Sequence, residues 1–171
     1  VVSDYRNRKI LKRFKVTPVS PAMILAVQVA IYTIYSVVSL ILLYIVSAVF
    51  WGFHMEGSIV AFLGSYLLVM LSIFSIGMMV GGISPNSQTA SVIASLLYFP
   101  MLIFSGATLP YEVMPEAMQK VVGILPLTQG IKLLKAASLG LPIESTFVPM
   151  IVMVVLAVIC IGVSLCFFKW E

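Results

Sequence analysis

The chain has 171 residues, of which 61% are hydrophobic and only 9% charged, and its mean hydropathy is +1.15. Soluble domains are about a quarter charged and disordered chains combine low hydrophobicity with high charge, so both classes are excluded and one bilayer-seated domain remains. The net charge of +4 is local, because Arg6, Arg8, Lys9, Lys12, Arg13 and Lys15 are six of the ten basic residues; nucleic acid, which needs basic groups spread over a folded face, is excluded as a partner.

Residues 1–20 read as a short basic amphipathic helix on the cytoplasmic surface. Ile10, Leu11 and Phe14 share one helical face, and Arg6, Lys9, Lys12 and Arg13 surround it. Thr17-Pro18 and Ser20-Pro21 end it. Two roles fit this composition: a topology anchor on anionic lipid headgroups, or a docking element for a cytoplasmic partner. The opening Val1-Val2 reads as the middle of a longer membrane protein.

Beyond this helix, charges punctuate the chain. No Asp, Glu, Lys or Arg occurs from Val16 to Met55, from Gly57 to Tyr111, or from Ser145 to Phe168. A crossing needs about 20 apolar residues. The first and third runs each hold one span, residues 22–50 and 146–168. The middle run is too long for one crossing and is broken at Gly81 to Gln88, where Pro85 and its Gly, Ser and Asn neighbours favour a turn. It therefore gives two spans, residues 58–80 and 89–109. Four spans place both ends on one side, and the basic cluster makes that side the cytoplasm.

Residues 110–142 lie outside by this topology yet stay apolar. They divide at Pro126 into two amphipathic stretches, 115–125 and 127–139, each too short to span. Such a pair either caps the bundle or dips into it, and a dip is tolerated only where protein or water surrounds it. The fold class is thus all-α and integral to the membrane: four spans, an N-terminal cytoplasmic helix and two short outer helices, re-entrant if they dip.

Small residues recur at four-residue spacing: Gly57, Ala61 and Ser65; Gly77 and Gly81; Ser87, Ser91 and Ser95, beside Ala90 and Ala94. These predict close helix packing. Pro100 interrupts the third span, with Ser105 and Gly106 after it; a gate hinge and a fixed bend both fit. Gln28 is the amide placed clearly within a span, and no ionisable residue is expected at mid-membrane depth, where proton relays would need one. His54, beside Trp51 and Phe53, reads as interfacial. Cys160 and Cys166 fall on different faces of one helix, too far apart to bond. The 171 residues contain no nucleotide-binding loop of the G-x-x-x-x-G-K-S/T type, no nucleophile elbow and no metal-ligand pair. Work against a gradient would draw its energy from another chain or domain.

These pieces together resemble the ABC-2 type transporter permeases, the membrane subunits of bacterial ABC exporters. The resemblance rests on the basic helix running Arg6 to Lys15 and closing Thr17-Pro18-Val19-Ser20. Phe99-Pro100, Ser105-Gly106, Pro110 and Pro115 follow, then Leu125-Pro126-Leu127-Thr128, Lys132 and Gly140. Lys9 and Leu125 differ from the usual pattern, which often has Gly and Asn there. The resemblance implies a subunit that moves substrate out of the cytoplasm across a bacterial plasma membrane, working as a dimer with a second permease copy or paralogue. It implies no cofactor in this chain and no enzyme activity of its own, ATP being bound and hydrolysed by a separate cytoplasmic ABC ATPase subunit. The ATPase-coupling surface would comprise Arg6, Arg8, Arg13, Phe14, Thr17 and Pro18. The outer gate or hinge would comprise Pro100, Ser105, Gly106, Pro110 and Pro126. The rival reading is a non-transport assembly or sensor subunit anchored by its basic helix.

Overall fold

Uncharged runs of Leu, Ile, Val and Met fold as helices because a helix satisfies its backbone polar groups internally, whatever surrounds it. A computed structural model describes residues 21–106 and 113–166. It has α1 (Pro21–Trp51), α2 (Ile59–Ile83), α3 (Ser87–Phe104), α4 (Glu116–Val122), α5 (Pro126–Ser138) and α6 (Ile143–Cys166). No strand occurs among the described residues. The expected all-α architecture is the one observed: α1, α2, α3 and α6 are long and apolar enough to cross a membrane.

Several boundaries differ from the sequence expectation. The second span does not stop before Gly81; α2 runs on through Gly81 and Gly82 to Ile83. Pro85 sets the stop, since it disfavours helical backbone at the residue before it. There the Ser84 N–H and hydroxyl both donate to the Val80 carbonyl, at 3.1 and 2.6 Å. Asn86 then caps α3, its side-chain oxygen accepting the Thr89 N–H at 2.7 Å, one of the orphan donors of a helix start. α3 ends at Phe104 rather than near Leu109, and α6 starts at Ile143 rather than 146. α4 starts at Glu116, with Pro115 as its N-cap, and ends at Val122 rather than 125.

Contacts between elements fix the directions of the crossings. The Tyr66 hydroxyl donates to the Ser36 carbonyl at 2.9 Å, and Tyr32 meets Phe74 edge to face at 5.7 Å. The partner number falls on α1 as it rises on α2, so these helices are antiparallel. Ser72 bonds to Met153 and Gly82 abuts Ser164, so α2 and α6 are parallel. These two lie close because their facing positions are small. The Ser72 hydroxyl lies 2.7 Å from the Leu68 carbonyl and 2.9 Å from the Met153 carbonyl, sharing its proton between its own helix and the neighbour. Ser75 donates to the Ser72 carbonyl at 2.6 Å.

The core therefore belongs to α2, α5 and α6. Val69, Leu133 and Met153 form it, with Leu68, Ile73 and Leu134 around them. α1 and α3 are peripheral: nothing in α3 is buried, and large apolar side chains such as Ile34, Tyr35 and Phe50 on α1 and Leu96 and Phe99 on α3 lie open. Apolar exposure on this scale is a liability in water and is what hydrocarbon contact requires.

Candidate functional site

Two features stand out from the bundle: a helix driven into it, and a cleft beside it. The first is α5. Pro126 occupies its first turn, where a missing N–H costs nothing. At its other end Gly140 has φ +65°, and Leu141 N–H donates to Ala136 at 2.9 Å, a left-handed helix stop that favours glycine. That stop rests on the loop before α2. Gly57 N–H donates to the Ser138 carbonyl at 2.9 Å, and a Cβ on Gly57 would fall 2.0 Å from the Ala137 carbonyl oxygen.

From this clamp α5 runs inward. Leu133, 1% exposed, packs against Val69 and Met153. Each of those lies ten residues past its helix start, which is about 15 Å at 1.5 Å per residue. One turn before Leu133, a Cβ on Gly130 would meet Val69 Cγ1 at 2.8 Å and Met153 Cε at 3.4 Å. Thr128 is buried at the inner end, its hydroxyl without a hydrogen-bond partner among the described residues. The irregular backbone between α4 and α5 is bonded from within, with Gln129 Nε2 donating to the Gly123 carbonyl and Leu125 N–H to Val122 at 3.0 Å. Irregular backbone at such depth survives only when its polar groups are met in this way.

The second feature is a cleft of about 530 Å³ between α1, α2 and α3. The small-residue stripes converge on it: Gly77 and Gly81 from α2, with Ser87, Ala90, Ser91 and Ala94 from α3. These stripes do not pack helix on helix, as their spacing suggested; they leave room. Gln28 and Tyr32 of α1, Phe74 of α2 and Tyr98 of α3 complete the wall, and among the described residues no charged side chain lines it. The stripe Gly57, Ala61 and Ser65 is not a helix seam either, since Gly57 precedes α2 and Ala61 is exposed.

The residues expected in the site fare differently. Arg6, Arg8, Arg13, Phe14, Thr17, Pro18 and Pro110 lie outside the described residues. Pro100 lies inside α3 and is exposed. Ser105 is buried at the end of α3, its hydroxyl donating to Leu102 at 3.0 Å, and Gly106 follows at φ +88°. α3 touches α5, which Pro126 begins, so these residues belong to adjoining elements. Sequence reasoning missed the seam of Ser72, Ser75, Gly82 and Ser164; serines three apart on one span are its signal. His54 is exposed, and Cys160 and Cys166 are unpaired, the first buried and the second exposed.

Four helices long and apolar enough to cross a membrane, set around a shorter inner helix, define a multi-pass helical membrane protein. The chain belongs to the ABC-2 type transporter family, whose match covers residues 1–139. Nodulation protein J of Rhizobium leguminosarum bv. viciae is 35% identical over 75 residues, 44% of this chain and 29% of that protein. Nodulation protein J of Neorhizobium galegae is 33% identical over 76 residues, with the same two coverages. The inner membrane transport permease YhhJ of Escherichia coli (strain K12) is 27% identical over 135 residues, 77% of this chain and 35% of that protein. The matched stretch spans about a third of these relatives. No solved structure matches the chain.

Proposed function

We propose that this chain is part of the membrane subunit of an ATP-driven exporter in a bacterial plasma membrane. The observation that carries the reading is the family match, which runs unbroken from the basic segment through α5. The 171 residues hold no nucleotide-binding loop, so on this reading ATP is bound outside them, by a cytoplasmic ABC ATPase subunit as the family resemblance implies. That partner docks on the segment containing Arg6, Arg8, Arg13, Phe14, Thr17 and Pro18, which joins α1 directly. The positive-inside rule favours cytoplasmic ends, which sets the turn between α2 and α3 on the cytoplasmic side and the Gly57–Gly140 clamp outside. α5 is then a re-entrant helix that plugs the outer half of the bundle. Closure of the ATPases pushes α1, and two permease copies or paralogues part at the outer face. Pro100, Ser105, Gly106, Pro110 and Pro126 form the region that moves.

The test is ATP-dependent transport by the full-length permease with its ATPase in proteoliposomes. Arg13→Glu combined with Phe14→Ala removes a charge and an apolar anchor from the docking face. Transport is expected to fall about tenfold or more, the loss typical of one good interface anchor. Unchanged transport in the double variant overturns the coupling role.

A further inference from the structure

We infer that Tyr66 is the pivot on which α1 moves. Its hydroxyl holds the middle of α1 at Ser36, so the inner half of α1 swings while the outer half stays against α2. The inference rests on the transport reading above and adds the residue that shapes the stroke.

The attachment is closed on itself. The Tyr66 hydroxyl donates to the Ser36 carbonyl at 2.9 Å. Its proton is thereby spent, so the Ser36 hydroxyl, 2.5 Å away, donates to the Tyr66 oxygen. Ser36 has fifteen residues of α1 on either side, which puts the pair about 22 Å from each end and deep in the bilayer. No bulk water is there to take over a broken hydrogen bond, and an unpaired hydroxyl is costly. Apolar contacts differ, because lipid tails replace an apolar neighbour at little cost. No described side chain of α1 is buried, so its apolar face can slide while the hydroxyl pair holds.

The two halves of α1 are tied differently. Outward of Ser36 the helix ends at Trp51, where the Gly52 N–H donates to the Ala48 carbonyl at 3.1 Å and Tyr44 meets Phe53 edge to face at 6.3 Å. Residues 52–56 then lead to Gly57, which is bonded to Ser138 of α5. Inward, α1 begins at Pro21, directly after the docking segment, where the push enters. A helix pushed at one end and tied at the other turns about its fixed middle. The backbone there is prepared to bend. The Ser36 carbonyl accepts the Tyr66 hydroxyl besides serving its own helix ladder, and a side chain inserted into that ladder is a known cause of kinks. One turn inward the Thr33 hydroxyl donates to the Val29 carbonyl at 2.7 Å, a back-bond that bends helices. The edge-to-face contact of Tyr32 with Phe74 lies in the swinging half and gives way, Tyr32 being already 41% exposed.

The test follows two pairs of spin labels in the full-length permease with its ATPase in nanodiscs, Cys160 and Cys166 being replaced by alanine. Met23→Cys with Ile83→Cys reports the inner ends of α1 and α2, and Leu43→Cys with Val60→Cys reports their outer halves; all four sites are exposed. Met23 lies thirteen residues from Ser36, an arm of about 20 Å. A turn of about 15°, the scale of known switching rotations, moves the end of that arm by about 5 Å. Trapping the ATP-bound state is expected to shift the inner pair by that much and to leave the outer pair in place. In Tyr66→Phe, which keeps the ring and loses the hydroxyl, the outer pair should shift as well. Ser36→Ala should add nothing to Tyr66→Phe, because both act on one connection. Equal shifts of both pairs in the unmodified protein overturn the pivot, since α1 then moves as a rigid body. So does an unmoved inner pair while hydrolysis proceeds, or an outer pair that stays in place in Tyr66→Phe. A merely structural bond would lower thermal stability in Tyr66→Phe and leave the pattern of shifts alone. Failure of the transport reading shows separately, as absence of ATP hydrolysis in the complex. The pivot is then decided in the resting permease, where Tyr66→Phe must broaden the outer-pair distances to sustain it.

Discussion

Gly57 and Leu133 show how single residues seat α5. The Gly57 backbone touches the last turn of α5 so closely that a methyl group has no place to go. Gly57→Ala is expected to destabilise the protein by about 1–3 kcal/mol, the usual cost of overpacking. Gly64→Ala, with open space around it, should not lower stability; thermal unfolding of the two variants in detergent makes the comparison. Leu133→Ala empties the centre of the core and should cost about 2–5 kcal/mol by the same measurement. At this scale the sequence was half legible. Pro126 was readable as a boundary, because it acts through its own backbone. That Gly57 serves α5 rather than a helix seam was not readable, because the contact joins residues 80 positions apart and spacing carries no trace of it.

At the scale of elements, the spans announce themselves and their neighbours do not. Long uncharged runs allow only helices, so α1, α2, α3 and α6 follow from composition. The depth of α5 does not. Its length rules out a crossing, but lying across the bundle and entering it use the same amphipathic pattern. The deciding detail is Gly130 against Val69 and Met153, a fit that depends on three elements at once. Penetration has a direct check. Thr128→Cys, buried at the inner end, should react with a water-soluble maleimide about tenfold or more slowly than Lys135→Cys on the exposed face, since reaction requires opening of a packed site. Comparable rates would place α5 on the surface. In the seam between α2 and α6, Ser72→Ala removes the bond to Met153. Inter-helix hydrogen bonds in membranes average about 0.6 kcal/mol and reach about 1.7, so a small loss of stability is expected, well below that of Leu133→Ala. The cleft was hidden for a different reason: a stripe of small residues says that a close approach is open, not that a helix makes it.

For the whole molecule, α2, α5 and α6 form a packed unit while α1 and α3 stand at its edge and enclose the cleft. That division suits a machine in which α1, joined to the docking segment, moves against a fixed core. The family match covers the docking segment, α1 and α5, which are the parts the proposed mechanism links. The central claim is that an ATPase drives this movement through residues 6–20. The most direct measurement is purification of the full-length permease in nanodiscs, scored for a bound ATPase, alongside Arg13→Glu. The expected result is a stoichiometric ATPase that is lost in the variant while the permease stays folded. A folded permease that carries no ATPase, or one that keeps it equally well with Glu at position 13, contradicts the account; the first result would favour an anchored assembly subunit.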